Sequence, residues 1–384
     1  GDDMPETAKL RVLTLSKPYV AAAYREKFRL LNRDPRFALG VITPPAWGSQ
    51  AFESHPDDRY WLKQVPILLN GRNHFHVYSG LKSAVQEFAP QIFNCEEEHY
   101  SLVTYQCFRL AVQHKIKPIF YTWQNIAKAY PPPFAWIEQY VFRHAAAAIA
   151  GNQEAANILY DKGFRGRIEV MPQMGTDLTT FSTCDPTSDQ ARSIRRELKI
   201  REDAFLVFYA GRLVPEKGLI DLLEAMHALR DLGRIQALIL GDGPEKDRLQ
   251  SRIHELNLGE RVTLRSGVLS LEIVPYFQAA DVLCLPSLTR PNWKEQFGRV
   301  LTEAMATGTV PVGSDSGEIP RVIADAGRVF PEGHPQALAN ILRDLYERPE
   351  DMKVLRHKAR LRVEERYSQD KIAERFGQLF LDLA

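Results

Sequence analysis

Cysteine is scarce: the 384 residues hold four, Cys95, Cys107, Cys184 and Cys284, and no two form a CxxC pair. That removes the paired-thiol motifs of zinc and redox sites and points to a reducing compartment; Cys284, inside an apolar run, reads as a small buried hydrophobe. Long hydrophobic runs are missing as well. No stretch approaches the ~20 apolar residues of a membrane span, and the first ten residues, GDDMPETAKL, are polar and acidic, so no secretory signal is expected. Net charge is nearly absent. The 49 Lys and Arg against 48 Asp and Glu leave +1, which argues against nucleic acid as a bulk electrostatic partner. A cytoplasmic protein is the expectation. Two phosphate-binding fingerprints are incomplete: Gly211 to Gly218 lacks the GKS or GKT ending of a P-loop, and in Gly241-Asp242-Gly243-Pro244-Glu245-Lys246 the third glycine of GxGxxG is replaced by Lys246. Without that glycine fingerprint, a Rossmann oxidoreductase is a weak reading.

What is present is the composition of a globular chain, 45% hydrophobic and 25% charged, at a length that predicts two domains. Short apolar runs alternate with helical patterns, which predicts an α/β protein of two parallel, doubly wound sheets. Strands are expected at Leu10–Leu15, Phe37–Ile42, Gln91–Cys95, Lys117–Tyr121, Ala146–Ala150 and Arg167–Met171, then at Phe205–Tyr209, Gln236–Leu240, Val262–Leu264, Ala280–Leu285, Thr309–Gly313 and Arg328–Pro331. Helices are expected at Ala21–Leu31, Phe134–His144, Glu154–Lys162, Leu219–Leu229, Arg299–Thr307, Gln336–Tyr346, Met352–Tyr367 and Lys371–Leu383. The polar run Ser182–Asp189 reads as a linker, so the domains are expected at 1–178 and 179–367, with 368–384 a terminal helix.

The chemistry is densest in PSLTRPNWKEQFGRVLTEAMATG, Pro286 to Gly308. A polar loop with Arg290, Lys294 and Glu295 precedes Gly298, which opens a helix carrying Val300, Leu301, Ala304 and Met305 on one face and stopping at Gly308. Unpaired amides at such a helix start favour an anion such as phosphate. Carboxylates beside them are not there to bind phosphate. Glu295, and Glu303 one to two turns into the helix, suit hydroxyls or a developing positive charge, and sugars offer both; a capping and a solvated carboxylate are the alternative. In Gly211-Arg212-Leu213-Val214-Pro215-Glu216-Lys217-Gly218 two cations flank a turn before a helix, able to bring fixed positive charge to a diphosphate.

Glu295-x7-Glu303, the GRL-x-x-EKG turn at 211–218 and the Gly-Asp-Gly-Pro-Glu turn at 241–245 together resemble retaining glycosyltransferases of the GT-B fold, the glycosyltransferase family 4 group. The resemblance covers Phe205 to Phe330 strongly and the N-terminal half weakly. It implies two Rossmann-like domains facing each other across a cleft, with the terminal helix crossing back to the first. It also implies a nucleotide-sugar donor, UDP- or GDP-linked, and an acceptor such as a glycan, lipid-linked sugar or small molecule, with retention of configuration and no cofactor. Arg212 and Lys217 would grip the donor diphosphate; Glu295 and the Phe297-Gly298-Arg299 backbone would face the donor sugar, and Glu303 the ribose. Gly211, Gly241, Gly243 and Val268 would line the nucleotide. No two aspartates lie two residues apart, so the Asp-x-Asp metal pair of other transferases is missing and no divalent ion is expected. On the acceptor side the candidates are Glu97 and His99, in an acidic loop that could equally be solvated. Trp123, Gln124 and Asn125 join them, where many members have a histidine. A same-fold epimerase or sugar synthase, and a nucleotide-sugar-binding regulator without turnover, are the rival readings.

Two further features have bland alternatives. His74-Phe75-His76-Val77-Tyr78 alternates as a strand with both histidines on one face, but nothing supplies a third metal donor. Lys17 to Arg36 carries six cations and two acids; the basic helix at Ala21–Arg36 reads either as a contact for an anionic acceptor or the inner membrane face, or as an ordinary solvated helix.

Overall fold

Strands buried on both faces need continuous apolar runs rather than alternation, and such runs build both sheets of this chain. In the first they are β1 (Leu10–Leu15), β2 (Phe37–Thr43), β3 (Trp61–Gln64), β4 (Ile92–Cys95), β5 (Lys117–Thr122), β6 (Ala147–Ala150) and β7 (Arg167–Val170). In the second they are β8 (Phe205–Ala210), β9 (Ile235–Leu240), β10 (Val262–Arg265), β11 (Val282–Leu285), β12 (Val310–Ser314) and β13 (Arg328–Phe330). All pairings within these sheets are parallel. The computed structural model describes residue 5, residues 8–268 and residues 272–384, so part of the acidic start at 1–10 lies outside the described residues. The chain divides into two units, Gly1–Gly175 with Gln369–Ala384, and Thr176–Ser368.

The first sheet runs 7-6-5-4-1-2-3 and the second 10-9-8-11-12-13 in these labels. Both reverse direction beside their own first strand, between β1 and β4 and between β8 and β11. At such a switch point the connections leave to opposite faces, and a crevice opens at the carboxyl ends of the strands. Chemistry in each unit is therefore expected after β1 and β4, and after β8 and β11.

The terminal helix Gln369–Leu383 belongs to the first unit, where Ile372, Phe376, Leu379 and Phe380 are buried beside Phe28, Leu31 and Phe37. No helix among the described residues is long and apolar enough to cross a membrane.

Three local expectations need correction. Ala21–Leu31 is not one helix: two 3-10 turns, Lys17–Val20 and Ala22–Arg25, precede a six-residue α-helix, Glu26–Leu31. The cause is Arg25, fully buried, whose guanidinium takes the carbonyls of Tyr19 and Val20 and the carboxylate of Asp58. Those carbonyls are available because no regular helix claims them. Lys27 and Arg29 are buried too, on Glu96 and on Glu26 and Asp58. Three of the six cations read as a basic face are thus internal, and that segment does not present them to a membrane. Second, His74 and His76 lie in a turn, because Arg72 O accepts from the His76 amide at 3.0 Å; only Val77–Tyr78 is extended, against Ile67–Leu68. Third, the polar run ending at Asp189 leads into a helix, Asp189–Glu197, capped by Ser188. Its Arg195 is buried on Ala279 O and Asp281.

Lys27 Nζ lies 3.6 Å from the Phe376 ring centroid, so the terminal helix covers a buried charge as well as a core. Replacing Phe376 by Ala is expected to cost about 3–5 kcal/mol. Four of the five tryptophans, Trp47, Trp61, Trp123 and Trp136, lie in the first unit. A urea titration followed by tryptophan fluorescence should therefore show the transition at clearly lower denaturant.

Candidate active site

At the second unit's switch point, the loops after β8 and β11 touch through backbone. Gly218, at φ +68°, has room only for hydrogen: a Cβ there would lie 1.9 Å from Pro286 O. Leu288 N donates to Glu216 O at 2.8 Å, which fixes the two loops to each other. The contact sets Lys217, at the end of the 3-10 turn Pro215–Lys217, opposite Glu295, 78 residues away. Lys217 Nζ donates to both Glu295 oxygens, at 3.2 and 3.4 Å, and lies 5.2 Å from the Trp293 ring centroid. Ser287 Oγ gives Glu295 Oε2 a second, shorter bond of 2.7 Å. The Glu295 backbone is pinned as firmly, since Glu318 N donates to its carbonyl at 3.2 Å and a Cβ on Gly317 would come within 1.8 Å of that oxygen.

Arg212, on the same loop as Lys217, is exposed and has no ion pair among the described residues. Tyr209 donates its hydroxyl to Arg212 O at 2.7 Å, holding the turn while leaving the guanidinium outside it. Gly241 brings a third loop in: a Cβ there would meet Gly211 O at 1.8 Å. Gly243 packs on the Leu213 backbone, and Asp242 accepts from Gly267 N at 2.9 Å, beside Val268. The structure therefore gathers Gly211, Gly241, Gly243 and the 267–268 loop at one edge of the second sheet. Gly298 caps the helix Arg299–Ala306, while Phe297 packs edge-on against Tyr367 at 5.4 Å. Glu303, one turn in, faces Arg299 at 3.5 Å. Burial pushes its carboxyl above the ordinary value, and Arg299 opposes that only in part.

The first unit repeats the device. Lys17, after β1, bonds Glu97, after β4, at 2.5 Å, and its ammonium lies 5.4 Å from the Trp47 ring centroid. His76 Nε2, buried and without a hydrogen-bond partner among the described residues, sits 4.0 Å from Glu97 Oε1. The three adjacent glutamates go to three destinations. Glu96 is buried with Lys27 and the Tyr19 hydroxyl, and Glu97 faces Lys17. Glu98 accepts from Trp123 N at 2.9 Å, and burial raises its pKa.

The rest of the acceptor-side set divides. His99 is a correction: it is buried, bonded to Glu138 at 2.8 Å and stacked on Phe142, so it is a core group rather than one offered to a ligand. Asn125 is buried as well. Trp123 and Gln124 are half-buried; one face of the Trp123 ring is taken by Gly151, and Gln124 bonds Ile126 O at 3.1 Å. Sequence reasoning did not reach Ser287, Trp293, Lys17, Trp47 or His76 as parts of these constellations. Among the described residues no group of three or more His, Cys, Asp or Glu is placed to hold a metal ion.

Both units are Rossmann-like α/β folds with a cation and a carboxylate at the switch point, where such sheets bind ligands. Residues 190–362, within the second unit, match the family described as glycosyl transferases group 1. Over 189 residues the chain is 34% identical to D-inositol 3-phosphate glycosyltransferase of Paenarthrobacter aurescens, covering 47% of this chain and 43% of that protein. It is 28% identical over 196 residues to lipopolysaccharide 1,2-N-acetylglucosaminetransferase of Salmonella typhimurium, covering 48% and 50%. The match spans about half the length of these curated relatives. Among solved structures, sucrose-phosphate synthase from Thermosynechococcus elongatus superposes with a TM-score of 0.71 at 19% identity, over 98% of this chain and 99% of that one. Anabaena Alr3699/HepE in complex with UDP gives 0.73 at 18%, over 97% and 100%. At these identities the likeness carries the GT-B fold alone.

Gly317→Ala should force the Glu295 loop out of position. The expected cost is at least the ~1–3 kcal/mol of an overpacked site, read as a melting temperature several degrees lower. Gly333→Ala, also at positive φ (+72°) but with its nearest neighbour 4.0 Å away, should shift it clearly less.

Proposed function

We propose that the protein is a glycosyltransferase that moves a sugar from a nucleotide-sugar donor to a hydroxyl acceptor, with retention and without a metal ion. The observation that carries this is Lys217, on the loop that also carries Arg212, meeting Glu295, with a helix start close in sequence to Glu295. In the reaction the bond from the anomeric carbon to the diphosphate breaks, its electrons leave with the phosphate, and the acceptor oxygen replaces it while losing a proton. Charge grows negative on the leaving group and positive on the sugar. Arg212, Lys217 and the amides of Phe297, Gly298 and Arg299 suit the first; Glu295 suits the second and the donor hydroxyls. Glu303 suits the ribose. Gly211, Gly241, Gly243 and Val268 offer backbone where a flat nucleotide can approach closely. On the acceptor side Glu97 is the retained candidate, with Trp123 and Gln124 at the same sheet's carboxyl edge. Retention rests on the resemblance in the Glu295-x7-Glu303 signature.

The donor is the first thing to test. HepE is described with UDP, with UDP and glucose and with UDP-glucose, so a thermal-shift panel of UDP, GDP, ADP and their sugars should begin there. A ligand at 100 times its dissociation constant adds ~2.7 kcal/mol. Nucleotide release that needs an acceptor supports transfer; a changed sugar without acceptor indicates an epimerase, and binding without release a regulator. Lys217→Ala is expected to lower kcat by roughly 10²–10³-fold, with the melting temperature as the control for folding.

Glu303 gives the reading a pH signature. Its raised pKa means the proton returns at a higher pH than on an exposed glutamate, and the protonated carboxyl loses acceptor capacity toward ribose hydroxyls. Nucleotide affinity measured by calorimetry should therefore weaken as pH falls toward 5, and Glu303→Gln should flatten that limb. The nucleotide's own phosphate titration is common to both proteins, so the difference isolates Glu303. Identical profiles would remove its ribose role.

A further inference from the structure

Between Glu98 and Glu154 the sequence holds one acidic residue, Glu138, and it is buried against His99 and Lys162. Two helices of the first unit lie in this stretch, Leu102–Gln113 and Phe134–His144, packed on each other. Their outer face is aromatic. Trp136 is 56% exposed, stacks on Tyr140 at 5.8 Å and meets Tyr105 edge-on at 5.2 Å. Phe75, 47% exposed, lies against Phe134, two residues before Trp136. Exposed cations frame these rings: Arg109, bonded to the Tyr105 hydroxyl at 3.2 Å, and Arg143 in the last turn of its helix. The contributing segments 67–81, 102–115 and 133–144 contain no acidic residue other than Glu138. In a chain of net charge +1, this face is therefore locally cationic.

The exposed Trp136 and Phe75 rings, the half-buried Tyr105, Phe134 and Tyr140 beside them, and two arginines, in segments with no exposed carboxylate, have a definite chemical complement. Amphipathic rings settle at the headgroup level of a bilayer, and arginines are drawn to anionic headgroups. A protein partner would need its own acids placed opposite two arginines; an anionic membrane supplies negative charge everywhere. We propose that this face, and not the Lys17–Arg36 segment whose Arg25, Lys27 and Arg29 are turned inward, docks the protein on an anionic lipid surface. The proposal does not depend on the transfer reaction, and its test asks nothing of it.

The experiment is sedimentation of the full chain with vesicles of phosphatidylglycerol and phosphatidylcholine in equal parts, at low and high salt, beside vesicles of phosphatidylcholine alone. Binding is expected to the mixed vesicles only, and to weaken at high salt. The double variants Trp136→Ala with Tyr140→Ala, and Arg109→Glu with Arg143→Glu, should each lower the partition coefficient roughly tenfold or more. Their melting temperatures report whether they fold; should the aromatic pair prove needed for folding, the exposed arginine pair still decides. No sedimentation with the mixed vesicles at low salt would overturn the proposal, as would unchanged binding by the folded variants. Concentration-dependent dimerisation abolished by the same variants, with no vesicle binding, would assign the face to a second copy of the chain instead.

Discussion

The second unit is organised around an ammonium and a carboxylate held 3.2 Å apart across the point where its sheet reverses direction. At that distance and an effective dielectric of about 20, the attraction is about 5 kcal/mol, and most of it is offset by taking two charges out of water. The Lys217–Glu295 pair is therefore a weak source of stability and a strong source of geometry. It needs the loop after β8 and the loop after β11 in contact, which is why Gly218 touches Pro286 and Gly317 touches Glu295 where no side chain fits. Replace either glycine and the charges separate; remove the Glu295 carboxylate and Lys217 loses its ion-pair partner beside Trp293.

The first unit reaches the same arrangement by a different route. Lys17 and Glu97 also bridge strands on either side of a reversal, with Trp47 where the second unit has Trp293. Beneath them lies a fully internal pair, Lys27 with Glu96, under Phe376. Burial pulls the Lys27 pKa down while Glu96 pushes it back up. Two pairs side by side do separate jobs: the inner one fixes the irregular backbone after β1, and the outer one keeps a cation, a carboxylate and an indole ring at the strand ends.

How much of this is legible in the sequence follows from how local each signal is. Strands buried on both faces announce themselves as apolar runs, and the expected ones match β1, β2, β4 to β10 and β11 to β13 to within a few residues at each end. Helix Leu102–Gln113 is ambiguous, since Val103, Thr104 and Tyr105 favour strand as much as helix, whereas Leu81–Phe88 is legible, with Leu81, Ala84, Val85 and Phe88 at helical spacing. Arg25 made a helix-like pattern misleading, because burying one guanidinium outweighed the local propensity of eleven residues. In the site, Lys217 and Glu295 are legible because a known motif carries them. Ser287, Trp293 and Trp47 are not, since their partners arrive through loop contacts that no spacing encodes. His99 reads as a ligand group from its place after a strand, yet Glu138, 39 residues on, is what it faces.

A resting ion pair at a site proposed to hold a diphosphate also bears on the order of events there. Arg212 is exposed and unpaired among the described residues, whereas Lys217 already shares its charge with Glu295. An arriving anion thus meets Arg212 with little to displace. It reaches Lys217 only by drawing the ammonium toward itself and loosening the Glu295 contact, while Ser287 keeps that carboxylate oriented at 2.7 Å. On the proposed reaction this is useful: phosphate binding would release a pre-aimed carboxylate to accept sugar hydroxyls in the same step. The attraction of both cations then strengthens as negative charge develops on the leaving phosphate, which is the differential binding that a transferase requires.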